Sequence, residues 1–277
     1  MKQTLTRMCA ALSLALAAGS IAAAEFKIAI EPHYSPQRSA EVYAPLAYYL
    51  NRALKPLNHT VTFVYPRNFH FFWRDVRQNA PVDFMFAEAH LTDYRAKRFQ
   101  FEPLLKTVEN TSYAVLSMDE VAAKGSRGLI GARVVTMPSP SMGFALLAEI
   151  FPDPVRQPNV MSTAASWRDG VEIVFAGEAE AAIVPSIVKD EYPNLVVITT
   201  TREFPGPALS AAPGVDPGMK QALTEALLKV HEDTDGYAAL NELRISQFVP
   251  VTAGEYDGKD ELLKSFFGYK SVDGSEE

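Results

Sequence analysis

The chain has 277 residues, which at about 150 residues per domain allows one large domain or two modest ones. Hydrophobic residues make up 48% of the sequence and charged residues 21%, an ordinary globular composition that excludes a disordered chain and a collagen-like fibre. The formal net charge of −7 argues against a nucleic-acid binder, because such proteins carry a basic excess.

The N-terminus has the three parts of a secretory signal. Lys2 and Arg7 form a positively charged start, an apolar stretch rich in Ala and Leu follows, and residues 22–24 form a small-residue cleavage site. We therefore expect residues 1–24 to be a cleaved signal peptide, and Cys9, the single cysteine, would be lost with it. An exported chain of this size without cysteine is typical of a bacterial periplasm, so we predict a periplasmic location.

Apolar runs typical of strands alternate with segments of helical spacing along the rest of the chain. The predicted elements, in chain order, are strand 26–30, helix 42–54 with Ser39 as its N-cap, strand 61–65, helix 69–78, strand 82–86, helix 92–98, strand 113–118, strand 130–137, helix 144–151, strand 160–164, helix 169–176, strands 181–185, 195–199 and 209–212, and helices 219–231 and 237–243. This alternation predicts an α/β fold with mainly parallel sheets. The strands are too many for one sheet of such short elements, so we expect two α/β lobes.

Several segments, in their order along residues 26–266, resemble the phosphate/phosphite/phosphonate family of ABC-transporter periplasmic binding proteins. They are PLAYYL at 45–50, VDF at 82–84 with Tyr94-Arg95-Ala96 after it, SPSMG at 139–143, GEAEAA at 177–182, and LRISQFVP at 243–250 with Glu255-Tyr256-Asp257 after it. The resemblance implies a type II periplasmic binding protein, in which two lobes joined by a two-strand hinge close around a ligand.

The resemblance also implies how the chain is divided and what it does. Lobe one would comprise 25–114 plus 206–277 and lobe two 115–205, with the two crossings near 113–116 and 204–207. Such a protein is not an enzyme: it captures a small ligand of the phosphate, phosphite or phosphonate class and delivers it to an inner-membrane permease. We expect a monomer that binds no nucleic acid.

In lobe two, the resemblance indicates four candidate ligand-binding residues. Ser139 and Ser141 stand where the family presents hydroxyl and backbone donors at a helix N-terminus, although Pro140 lacks an N–H group. Glu180 takes the position of a family Asp that accepts hydrogen bonds from the ligand, and Trp167 falls where many members have a cleft histidine. The plainer alternatives are a simple helix cap for Ser141, a solvated charge for Glu180 and core packing for Trp167.

The opposite wall of the predicted cleft follows the first and third strands. His33 and Tyr34 come after the first, and Glu88 and His90 come after the third. Open α/β sheets bind ligands at the carboxyl ends of their strands, so these residues are candidates for ligand binding. Tyr94, from the second matching segment, completes the candidate set. An unpaired Glu88 would repel a dianion.

The departures from the family's oxyanion site leave two further hypotheses open. The aromatic cluster at 69–73, together with Trp167, suggests that the same scaffold binds an apolar or amphipathic, lipid-like ligand. A loaded protein of this shape is also suited to dock on a membrane histidine kinase as a ligand sensor, in place of a permease.

Enzymatic activity and a cofactor are not predicted. The sequence contains no HExxH motif, nucleophile elbow or P-loop. His33, His70, His90 and Glu88 could converge on the cleft and hold a metal ion, but their spacing carries no metal-binding signature, so we predict no metal site.

Overall fold

The computed structural model describes residues 23–252 and 254–271. Most of the predicted signal peptide, residues 1–22, lies outside this part of the chain. Among the described residues, no helix has the combination of length and hydrophobicity that a membrane span requires.

Strands and helices alternate along the described residues. The strands are β1 (Ala24–Ile30), β2 (His59–Val64), β3 (Phe84–Ala87), β4 (Glu102–Thr107), β5 (Tyr113–Ser117), β6 (Arg133–Val135), β7 (Asn159–Met161), β8 (Ala181–Pro185), β9 (Val196–Thr200), β10 (Ala208–Ala211) and β11 (Phe248–Pro250). The α-helices are α1 (Pro36–Leu54), α2 (Phe69–Arg77), α3 (Ala89–Phe99), α4 (Asp119–Ala122), α5 (Met142–Ile150), α6 (Trp167–Phe175), α7 (Pro217–Leu228) and α8 (Thr234–Leu243).

The strands form two sheets, which confirms the predicted two-sheet α/β class. The first sheet has the order β11-β4-β10-β3-β1-β2, and the second has the order β7-β6-β8-β5-β9. In the first, β1 runs parallel to β2 and β3, whereas β10 is antiparallel to β3 and β4 and β11 is antiparallel to β4. In the second, β6 is parallel to β7 and β8, and β5 is antiparallel to β8 and β9.

The sheets are therefore mixed, and the expectation that they are mainly parallel was wrong. Parallel neighbours need a crossover between them, usually a helix, and β1, β2 and β3 are joined in this way through α1 and α2. By contrast, β10 enters the first sheet directly from β9 of the second sheet, with no α-helix between them. It therefore runs opposite to its neighbour β3.

The chain passes between the sheets along 108–112 and 201–207. The two segments meet at Thr111 and Phe204, whose backbone N–H groups donate to each other's carbonyl oxygens at 2.9 and 2.8 Å. Residues 113–116, which the sequence analysis placed near the first crossing, are part of β5, so that crossing lies a few residues earlier in the chain.

Each sheet has a hydrophobic core, and the core of the second sheet also includes Phe69, Ala89, Ala208 and Tyr256 from the side of the first. Helices α1, α7 and α8 cover one face of the first sheet, and α2 and α3 cover the other. The second sheet packs against α5 and α6. The helices cover the two faces of the first sheet but not the carboxyl ends of β1 and β3. These strand ends face the second sheet.

Helix α1 begins earlier than predicted. Its N-cap is Ser35, whose Oγ accepts from the backbone N–H of Arg38, and Pro36 occupies the first turn, where a missing N–H costs nothing. Ser39, the predicted cap, is buried inside the helix. The loop 31–35 is consequently short, and it holds the side chains that follow β1 close to the sheet.

Candidate functional site

A cleft of about 210 Å³ lies between the two sheets. The side of the first sheet contributes residues that follow β1 and β3, residues of the first crossing, and the segment after α8. The side of the second sheet contributes the start of α6 and the segment after β8. Lining residues include Glu31, His33, Tyr34, Glu88, Glu109, Ser112 and Arg244 from the former regions, and Ser166, Trp167, Arg168, Ser186, Ile187 and Glu191 from the latter.

The floor of the cleft carries two buried glutamates. Glu31 follows β1 and Glu88 follows β3, and because these strands are parallel neighbours both side chains leave the same edge of the sheet. Each glutamate is only 2% exposed. The backbone N–H of Glu88 donates to Oε2 of Glu31 at 2.6 Å, and the hydroxyl of Tyr113 donates to Oε1 of Glu88 at 2.6 Å. His33 adds an imidazole whose Nε2 lies 3.8 Å from Oε2 of Glu31.

One oxygen of each glutamate has no protein partner. Oε1 of Glu31 and Oε2 of Glu88 are buried and make no hydrogen bond to the described residues. A buried carboxylate oxygen without a donor is energetically unfavourable, so this pair is an exception that needs an explanation.

The charges of the floor are coupled. Burial opposes ionisation of Glu31, but the interactions with His33 outweigh it and hold the pKa of Glu31 below its usual value. Burial, reinforced by the charge of Glu31, raises the pKa of Glu88 well above its usual value. Burial disfavours protonation of His33, yet Glu31 prevails and raises the pKa of His33. The coupling thus favours the ionised form of Glu31 and the neutral form of Glu88.

Trp167 covers the floor from the second sheet. It is the first residue of α6, whose N-cap Ser166 accepts from the backbone N–H of Asp169 at 3.1 Å. The indole Nε1–H points at Nδ1 of His33 at 3.4 Å, and the indole ring meets the ring of Tyr113 edge-on with centroids 5.4 Å apart. The structure therefore places Trp167 on the cleft, and it also packs against the second core.

His90 connects the two sides behind the cleft. Its imidazole is fully buried in α3, and Nε2 lies 2.9 Å from the carbonyl oxygen of Pro140. Burial lowers the pKa of His90 below its usual value. His90 does not line the cleft, because α3 packs it directly onto the turn before α5.

Because of the same packing, the two candidate serines do not line the cleft. Ser141 is a plain helix cap: its Oγ accepts from the backbone N–H of Phe144 at 3.4 Å and donates to the carbonyl oxygen of Met137 at 3.0 Å. Ser139 is half-buried in the same turn and does not line the cleft either. The predicted oxyanion turn therefore faces α3 instead of the cleft.

Two other candidates also lie away from the cleft. Glu180 precedes β8 and pairs with Arg133, with Oε1 2.7 Å from Nη2. The opposite end of that strand, Pro185, lines the cleft, so the length of β8 separates Glu180 from it. Tyr94 is buried beneath the first sheet, where its ring packs on that of Trp73 at 5.1 Å.

The aromatic cluster at 69–73 belongs mainly to the core. Phe72 and Trp73 pack between α2 and the first sheet, and Phe69 is buried as well. His70 is exposed on α2 and does not join His33. The cluster therefore does not form a ligand surface in the cleft.

The sequence analysis missed several residues of the cleft. Glu31 follows a predicted strand, so the rule that singled out His33 applies to it equally. Tyr113 gave no local signal, because its partner is Glu88, 25 positions away. The rim was missed for the same reason: Arg168 and Arg244 each lie 2.9 Å from the carboxylate of Glu191.

Two lobes, each with its own sheet and core, and a lined cleft between them define the class of two-lobed solute-binding proteins. Comparison with family models assigns the chain to one family within that class. A family model described as ABC transporter, phosphonate, periplasmic substrate-binding protein matches residues 28–256. The chain belongs to this family, which confirms the resemblance drawn from the sequence. No functionally curated protein matches the chain.

Solved structures share the fold at low sequence identity. PhnD1 from Prochlorococcus marinus, solved with methylphosphonate, has a TM-score of 0.72 at 12% identity, covering 87% of this chain and 97% of that one. A binding-protein component of an ABC phosphonate transporter from Pseudomonas aeruginosa has a TM-score of 0.70 at 14% identity, covering 88% and 86%. A Xanthomonas citri protein bound to ATP has a TM-score of 0.66 at 13% identity, covering 86% and 95%.

The family and the Pseudomonas aeruginosa neighbour are binding proteins of ABC transporters, which agrees with the prediction that the chain is not an enzyme. Membership implies a small-molecule ligand, a membrane permease as partner and a periplasmic location.

Proposed function

We propose that the protein captures a small phosphorus oxyanion of the phosphonate class in the cleft by closing two lobes, and passes it to the permease of its transporter. The lobes comprise 25–114 plus 206–277 and 115–205, and residues 1–24 direct export as a cleaved signal peptide. The observation that carries the proposal is the cleft itself, which is lined from both sheets at the point where two short segments join them.

Hinge closure is supported by contacts that bridge the cleft. Opening would break polar contacts between the two sides, among them Trp167 with His33, Glu191 with Arg244, and the imidazole of His90 with the backbone carbonyl of Pro140. Small interfaces of this kind permit domain motion, whereas the sheets move as rigid bodies.

The ligand class follows from the size and rim of the cleft. A volume of about 210 Å³ suits a small solute and not a lipid. Arg168 and Arg244 share the single carboxylate of Glu191, so this part of the rim has one positive charge in excess. An anionic head group can therefore bind the two guanidinium groups, which are suited to oxyanions. The core position of the cluster at 69–73 removes the observation that favoured a lipid-like ligand.

A thermal-shift panel tests the ligand class. Methylphosphonate, phosphite and phosphate are compared with uncharged solutes and lipids. A ligand at 100 times its Kd adds about 2.7 kcal/mol to the free energy of unfolding. We expect at least one phosphorus oxyanion to raise the melting temperature and Arg168→Gln to reduce that shift, with Arg133→Gln, outside the cleft, as the control. A response to another class and to no phosphorus oxyanion would refute the proposal.

Small-angle X-ray scattering tests closure. The radius of gyration should fall between the free and the ligand-saturated protein. An unchanged radius with every ligand that binds would contradict hinge closure.

A further inference from the structure

The acidic floor of the cleft is at odds with an anionic ligand. Glu31 and Glu88 lie side by side, and both are buried. In a partly dry cleft, negative charges repel an oxyanion, and the excess positive charge of the rim belongs to side chains that are nearly half exposed. A cation bound at the floor would offset the charge of Glu31 where the ligand binds.

The three side chains of the floor have the arrangement of a metal-binding set. Glu31, His33 and Glu88 each offer one ligand atom, and these atoms lie within 4.8 Å of one another. Atoms that bind one Zn²⁺ at about 2.1 Å in tetrahedral geometry are roughly 3.4 Å apart, so small side-chain rotations bring the three atoms onto a common ion. Nε2 of His33 lies 3.8 Å from Oε2 of Glu31, which is too long for a good hydrogen bond, so this nitrogen is not committed to that carboxylate.

The hydrogen bonds of the two carboxylates leave the required oxygens free. Each glutamate has one oxygen that is fixed by a protein donor: the backbone N–H of Glu88 binds Oε2 of Glu31, and the hydroxyl of Tyr113 binds Oε1 of Glu88. The second oxygen of each is buried and has no partner among the described residues. Metal-binding carboxylates typically show this division, in which one oxygen is held by an outer donor and the other faces the ion.

We propose that Glu31, His33 and Glu88 bind a divalent first-row transition-metal ion, with its remaining coordination positions open to the cleft. Two carboxylates and one imidazole are hard and borderline ligands, which suit Zn²⁺, Mn²⁺ or Co²⁺ and not Cu⁺. The ion adds positive charge at the floor, beside the anionic ligand. This inference deepens the proposed function. One further step rests on the proposed ligand class: an oxygen of the phosphorus oxyanion completes the coordination of the ion.

Metal binding also has an expected effect on Trp167. The indole N–H points at Nδ1 of His33, so Nδ1 acts as the acceptor in this structure. A metal ion on Nε2 places the imidazole proton on Nδ1, and two N–H groups would then face each other. The indole must turn away from His33, which changes the fluorescence of Trp167. Trp73→Phe removes the other tryptophan and leaves this signal alone.

Calorimetric titration of Zn²⁺ into EDTA-stripped protein tests the site. We expect one equivalent to bind, and Glu88→Gln and His33→Gln each to weaken binding at least 10-fold. Glu88→Gln keeps an acceptor for Tyr113, so the fold is retained. The matched control is Glu109→Gln, a glutamate that lines the same cleft but lies outside the set, and its affinity should equal that of the wild type.

Co²⁺ absorption and the fluorescence of Trp167 in the Trp73→Phe protein give independent readouts if a floor variant fails to fold. Substoichiometric binding, or equal affinities in the wild type and the two floor variants, would overturn the proposal.

Titration of methylphosphonate into the metal-free and the Zn²⁺-loaded protein separates the two proposals. Tighter binding to the loaded protein supports the added step. If Zn²⁺ does not bind but methylphosphonate does, the metal site fails and the proposed function stands. If Zn²⁺ binds but no phosphorus oxyanion does, the metal site stands and the proposed ligand class fails.

Discussion

Removal of the Tyr113 hydroxyl tests the account of the cleft floor. In Tyr113→Phe, Glu88 loses the hydrogen bond to its Oε1, and its Oε2 already has no partner among the described residues. Both groups are buried, Tyr113 at 0% and Glu88 at 2% exposure, so water does not replace the lost donor. Leaving a buried acceptor unsatisfied costs about 1–3 kcal/mol. We place this variant in the upper half of that range, near 2–3 kcal/mol, because the whole carboxyl group is left without a side-chain donor.

Urea unfolding of the EDTA-treated protein measures this cost. The midpoint should fall while the slope of free energy against urea stays the same, since the surface exposed on unfolding does not change. Tyr237→Phe is the matched control, because this tyrosine is 61% exposed on α8 and should change the stability little. A loss below about 0.5 kcal/mol for Tyr113→Phe would show that the hydroxyl does not satisfy Glu88, and the reasoning about the floor would be wrong.

Two further predictions concern the second crossing and a surface pair. Gly206→Ala should cost about 1–3 kcal/mol, because the added Cβ overlaps the backbone carbonyl oxygen of Glu109 as well as Oγ1 of Thr107, whereas Gly214→Ala, with open space around it, should be nearly neutral in the same unfolding assay. Glu180→Gln should leave ligand affinity unchanged and lower stability by less than about 1 kcal/mol at pH 7. The hydrogen bond from Arg133 lowers the pKa of Glu180, so this pair stabilises the fold above the usual glutamate pKa and is lost as the pH falls below it. Wild type and Glu180→Gln should therefore converge in stability under acid, and a difference that grew instead would contradict the assignment.

The sequence predicted the strands and helices that short-range patterns determine. Strands such as β1 and β8 are short apolar runs and were found nearly at their true bounds, whereas the periodicity of α1 gave the end of that helix but not its start. Strands β4 and β11 were missed because each contains a proline, Pro103 or Pro250, which weakens the strand pattern, and β11 has only three residues.

The sequence predicted those site residues whose position follows from the strand that they come after. It did not predict those whose position depends on contacts between distant parts of the chain. His33 and Glu88 lie on the cleft because they follow parallel neighbouring strands. Ser139 and Ser141 matched the family pattern by spacing, but which surface their turn faces depends on the packing of His90, which no local pattern encodes. The pairing of Arg244 with Glu191 likewise joins positions 53 residues apart.

Titration of methylphosphonate into the Zn²⁺-loaded wild type and its Trp167→Ala variant tests the central claim most directly. The account predicts one bound equivalent in the wild type and at least a 10-fold loss of affinity in the variant, because Trp167 forms the wall that closes over the floor. Equal affinities in the two proteins would place the ligand outside the cleft, and the absence of binding to the wild type would contradict capture of a phosphonate.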